Sequence, residues 1–88
     1  MRVTLSDDAL ADLQSIGDEI AKHNSIRAAT YVDELIVACL SLDENSERCA
    51  LTPQFGKGVR RLLFGEYCVF YRVRNENVQV SRILHGRR

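Results

Sequence analysis

The stretch Val59–His85, VRRLLFGEYCVFYRVRNENVQVSRILH, decides the fold. Val59 to Phe64 reads as a strand, and Gly65-Glu66 makes a tight turn after it. Tyr67 to Val73 alternates. Tyr67, Val69, Tyr71 and Val73 fall on one face, and Cys68, Phe70 and Arg72 on the other. Asn75-Glu76-Asn77 is a second turn. Val78 to Leu84 is the third strand, with Val78 and Val80 on a common face. Neither connection is long enough for a parallel crossover, so the three strands form an antiparallel meander.

Working outward toward the N-terminus, Asp43 to Lys57 is polar, holds the only proline, Pro53, and reads as an irregular connection. Before it, two amphipathic helices are predicted. Ser6 is a good N-cap, and Asp7 and Asp8 follow where negative charge suits the positive end of a helix dipole. Leu10, Leu13, Ile16 and Ile20, with Ala9 beside them, form one apolar stripe on a helix to about His23. Gly17 weakens that helix and implies close approach of a second one. Asn24 and Ser25 cap the next helix, Ile26 to Leu42, with Ala29, Val32, Ile36, Cys39 and Leu40 on one side. So short a link folds the pair into an antiparallel hairpin. Arg2 to Leu5 reads as a short strand that adds at a sheet edge. The predicted fold is a single two-layer α+β domain, β-α-α-β-β-β, with the hairpin packed on an antiparallel sheet.

The chain has 88 residues, 45% hydrophobic and 27% charged, a balance that excludes disorder and suits one small soluble domain. A domain of this size folds with little margin, so a stabilising partner matters to it. No apolar run reaches the roughly 18–20 residues of a membrane span. Met1 to Ser6 lacks signal-peptide architecture, so a cytoplasmic location is expected.

The net charge of zero hides an asymmetry. Residues 1–53 carry four basic and ten acidic side chains, or −6; residues 54–88 carry eight basic and two acidic, or +6. The second half is suited to something acidic: a phosphate backbone, an acidic protein surface, or the acidic half of the same molecule.

Chemistry has few candidates. Cys39, Cys49 and Cys68 are odd in number and far apart, which argues against a disulfide framework or a C-x-x-C site. His23 and His85 have no ligand-spaced neighbours, so no metal and no cofactor is expected. Gly56-Lys57-Gly58 is too short for a phosphate loop of the Walker type. The sharpest cluster is Arg60, Arg61, Arg82, His85, Arg87 and Arg88. Neighbours on a strand face opposite ways, so Arg60 and Arg61 cannot both enter the core. Arginine forks suit carboxylates and phosphates alike. The same pattern equally describes a solvated basic edge that discourages edge-to-edge pairing. Tyr67 and Tyr71 read as core residues with their hydroxyls at a boundary.

The segments GVRRLLFGEYCVFYRV (58–73) and VQVSRILHGR (78–87) closely resemble the ParE branch of the RelE/ParE toxins. Arg60 and Leu62 before Phe64-Gly65, Tyr67 with Phe70-Tyr71-Arg72-Val73, and Arg82-Ile83-Leu84-His85-Gly86 carry the likeness, which extends over essentially the whole chain. The resemblance implies the toxin of a type II toxin–antitoxin pair that acts on DNA gyrase without catalysis of its own. It implies a ParD-like antitoxin, bound through the groove along the helices and the basic sheet, with Leu13, Ile16, Ile20, Ile36 and Arg72 as candidate contacts. Arg60, Arg61, Arg82, His85, Arg87 and Arg88 are the candidates for the target surface. No membrane and no sequence-specific nucleic-acid partner is implied. The sister branch cuts messenger RNA on the ribosome, with an arginine on the strand matching Tyr67–Val73. Here Cys68 holds that position and the tail has no tyrosine. That weakens a ribonuclease reading built on Arg60 or Arg61 and His85 but leaves it open.

Overall fold

The computed structural model describes residues 2–86. Strand β1 (Arg2–Leu5) leads into helix α1 (Asp7–Ala21), and helix α2 (Ser25–Leu40) follows. Strands β2 (Arg60–Phe64), β3 (Tyr67–Arg74) and β4 (Asn77–His85) close the chain. Ser6 starts α1 as its position demands: its Oγ accepts from Ala9 N–H at 3.0 Å. Asn24 does the same for α2, accepting from Arg27 N–H at 3.0 Å. A Cβ on Gly17 would lie 3.2 Å from Val32 Cγ2, so α2 packs tightly against α1 at the glycine.

The sheet order is β1-β4-β3-β2. The meander is antiparallel, with Phe64 opposite Tyr67 and Arg74 opposite Asn77. The whole sheet is mixed, however, because β1 runs parallel to β4, Arg2 opposite Asn77 and Leu5 opposite Val80. The two helices lie between β1 and the meander and bring the chain back for this parallel pairing. Gly65 opens the first turn at φ 57°, where other residues are strained.

A bulge interrupts the β3–β4 ladder. Phe70 faces Arg82 while Tyr71 faces Val80, so Ser81 is the extra residue. Its hydroxyl donates to Phe70 O at 3.2 Å. The bulge lets Val80 and Ile83, three apart, both enter the core, which strict alternation forbids.

The core lies between the helices and one sheet face. It joins Ala9, Leu13 and Ile16 of α1, Leu35 and Cys39 of α2, and Val69, Tyr71, Val78, Val80 and Ile83 of the sheet. Two expectations shift here. Leu10 is 52% exposed and Leu40 48%, although both were assigned to the apolar stripes. Leu35, absent from the expected stripe, is fully buried. Helix α2 is apolar nearly all the way round (Ala28, Ala29, Val32, Leu35, Ile36, Val37, Ala38, Cys39, Leu40), so its periodicity does not fix which side faces inward.

The connection 43–57 is more ordered than its composition suggests. Leu51 bridges to Arg60, Arg61 N–H donates to Ala50 O at 3.1 Å, and Thr52 N–H to Val59 O at 2.8 Å. The segment thereby covers the outer edge of β2. The Tyr71 hydroxyl is fully buried rather than at a boundary and donates to Ser46 O at 2.6 Å. Burial pushes its pKa well above the ordinary phenol value.

Candidate functional site

The pleat of the sheet sorts the arginines. Arg60 faces Tyr71 and shares its core side. Its guanidinium donates to Glu47 O at 3.0 Å and Cys49 O at 2.7 Å, and it lies 3.6 Å from the Glu47 carboxylate. It fastens the 43–57 connection. Arg61 faces Phe70 and projects from the opposite face of the sheet, away from the helices. Arg72 stands on that same far face and donates from Nε to Lys57 O at 3.0 Å.

Arg82 meets the acidic half of the chain. Its guanidinium forks onto Asp12 of α1 at 2.8 and 3.0 Å, and the pairing raises its pKa, the hydrogen bond being the largest cause. Asp12 Oδ2 also accepts from Ile83 N–H at 2.8 Å. Beyond Val80 strand β4 has no strand neighbour on its β1 side. Ser6 and Asp12 take the neighbour's place, since the Ser6 N–H and hydroxyl donate to Val80 O and Ser81 O at 2.9 and 2.7 Å.

His85 faces Tyr67 on the helix side, with ring centroids 5.3 Å apart and nearly perpendicular planes. Its Nε2 lies 3.4 Å from Glu66 Oε2. The cleft around it is lined by Asp12, Ser15, Glu19, Glu66 and Tyr67. Arg87 and Arg88 lie outside the described residues. The sequence cluster is therefore divided. Arg61 and His85 stand on opposite faces. Arg60 and His85 share a side, but their β3 partners, Tyr71 and Tyr67, are four residues, or about 13 Å, apart.

Of the residues named for a partner in the helical layer, Leu13 and Ile36 line the groove between the helices, and Ile16 lines the cleft around His85 instead. Leu13 and Ile16 are buried, and Ile20 and Ile36 are partly buried against the core. Between the helices Leu10, Gly17, Ala29, Val32 and Ile36 line an apolar channel edged by Asp18 and Asp33. Leu10 and Ala29 are its exposed apolar members; the sequence places both on the apolar stripes but not among the candidate partner contacts.

The far sheet face has its own small cluster, Val59, Cys68 and Phe70, with Leu84 against it. Phe55 covers Phe70 at a centroid distance of 4.4 Å. Cys68 is thus a buried packing residue. Among the described residues, no group of three or more His, Cys, Asp or Glu could hold a metal ion. No described helix is long and apolar enough to cross a membrane.

The sequence model of the ParE toxin of type II toxin–antitoxin systems, parDE, matches residues 3–88. The chain belongs to the ParE toxin family. A chain of the chromosomal ParDE toxin–antitoxin system from P. aeruginosa superposes with a TM-score of 0.85 at 24% identity, covering 97% of this chain and 95% of that one. The RelBE2 toxin–antitoxin complex from Mycobacterium tuberculosis gives a TM-score of 0.70 at 18% identity, covering 96% of this chain and 88% of that one. No curated protein matches. The ParE family's two-layer arrangement of a helical hairpin on a four-stranded sheet is the fold seen here.

Proposed function

We propose that this ParE-family toxin inhibits DNA gyrase by docking, without bond-breaking chemistry of its own, and that a ParD-like antitoxin neutralises it in the cytoplasm. One observation carries the docking reading: among the described residues, the groups a phosphodiester cutter would need do not converge. A general acid or base must reach the oxygens of the bond while cations hold the phosphate. His85, the candidate acid or base, is four residues along and two strands across from Arg60, about 16 Å, and the Arg60 guanidinium is engaged by loop carbonyls. Arg61 is on the other face, and Cys68 is packed away.

The apolar channel between α1 and α2 supports the antitoxin half of the reading. It is open and lined by aliphatic residues together with Gly17, Ala28 and Ala29, which suits an amphipathic helix laid along it.

Purified protein added to gyrase and supercoiled plasmid should yield linear DNA that requires gyrase. Intact supercoiling at every dose, together with new 5′ ends on translated messages by primer extension, would replace this reading with a ribonuclease.

A further inference from the structure

None of the four strands contains an aspartate or glutamate, yet they carry six arginines. The helix side uses two of these, Arg60 and Arg82, against Glu47 and Asp12. The other four, Arg2, Arg61, Arg72 and Arg74, fall on the far face. Register and pleat fix this: each alternates with a residue packed on the helix side, Val3, Leu62 and Val73 among them. Among the described residues, none of the four forms an ion pair. At the two ends of the row, Glu76 shares a shallow hollow with Arg2 and Glu66 shares one with Arg61.

Their spacing follows from the ladder. Arg2 lies opposite Asn77, which lies opposite Arg74, so these two are two strands apart, about 10 Å. Arg74 to Arg72 is two residues along one strand, about 7 Å. Arg61, opposite Phe70, is one strand across and two residues on, about 8 Å further. The four arginine positions form one diagonal stripe across the sheet. Beside its end, Phe55 is 51% exposed above Phe70 and Leu63 is 64% exposed.

We propose that this stripe binds the phosphate backbone of single-stranded DNA without sequence preference. Steps of about 7–10 Å suit forked contacts to phosphates along one strand, and guanidinium is the side chain that grips phosphate bidentately. An exposed aromatic ring at the edge of a basic groove is the platform on which an unpaired base stacks, which a duplex does not offer. Zero net charge does not oppose this, because the carboxylates sit in the helices, loops and turns. The inference stands whether or not gyrase is the target.

Fluorescence anisotropy of a labelled 16-nucleotide single strand, titrated with the full chain, tests it. Four phosphate contacts at a slope of about 0.7 each weaken binding about 50-fold between 50 and 200 mM salt. The triple variant Arg2→Gln/Arg61→Gln/Arg74→Gln should lower that loss to about 3-fold and weaken binding at least tenfold at 50 mM. Arg72 is left in place because it also holds the Lys57 carbonyl. Should the triple variant melt early, Arg2→Gln/Arg74→Gln, both exposed, should still reduce the loss to about 7-fold. No binding at 50 mM salt, or an unchanged slope in the folded variants, would overturn the proposal. So would tighter binding of a 16-base-pair duplex. Tighter binding of a polyglutamate peptide, lost in the same variants, would reassign the face to an acidic protein.

Discussion

Cys39 shows how packing alone sets a side chain's chemistry. It is fully buried on the inner side of α2, and burial pushes its thiol up to about 11. The group is neutral when protonated, so the folded state favours the protonated form. Below an unfolded-chain value near 9 both states hold the proton and the full stability is present. Between about 9 and 11 the unfolded state releases it first, and stability falls. The loss from this residue is at most about 2–3 kcal/mol at 1.36 kcal/mol per unit. Urea midpoints from pH 8 to 11 should decline for the parent chain and decline less steeply for Cys39→Ala. The same burial makes Cys39 inert to iodoacetamide in the native state at pH 8. Equal pH slopes in the two proteins would assign the decline to other groups, such as Tyr31 and Tyr71, whose phenols burial also raises.

At the element scale, the unfilled edge of β4 is the instructive feature. Strand β1 stops at Leu5, and α1 supplies Asp12 to the Ile83 N–H that a longer β1 would have met. Asp12→Ala should therefore cost about 1–3 kcal/mol, because it orphans a part-buried backbone donor as well as Arg82. Arg82→Ala should cost clearly less, because Asp12 keeps its contact with the strand. Chemical denaturation of both variants measures the difference, and equal losses would place the effect in the ion pair. Nothing in the local sequence marks Asp12, which meets a residue 71 positions away. The meander, both N-caps and the role of Gly17 were legible because each depends on neighbours within a few residues. The parallel pairing of β1, the Ser81 bulge and the inward face of α2 were not. The first two are settled between distant segments, and α2 is apolar around too much of its circumference to declare a side. Arg60 and Arg61 divide between the two faces as strand alternation requires, Arg60 to the core side and Arg61 away from it.

For the whole molecule, the charge asymmetry resolves into a division of surfaces. Carboxylates gather on the helices and connections, and some of them neutralise Arg60 and Arg82 from within. The far sheet face keeps its cations, and the helical groove keeps an apolar floor between acidic edges. On the proposed function, antitoxin capture and target contact would sit on separable parts of the fold, and single changes should dissociate them. Ala29 is exposed on the groove, so Ala29→Arg fills the channel without entering the core. Cells making this variant should arrest as parent cells do but should no longer be rescued by co-expressed antitoxin, with affinity lowered at least about 100-fold, or about 2.7 kcal/mol. The converse variant, His85→Ala/Arg87→Ala/Arg88→Ala, should lose toxicity while still co-purifying with antitoxin, at the cost of the packing of the His85 ring against Tyr67. Thermal melts of both keep folding separate from function. If Ala29→Arg remains fully rescued, the antitoxin does not use the hairpin groove. If the tail variant loses its melting transition along with its toxicity, His85 and its neighbours hold the fold together instead of meeting a target.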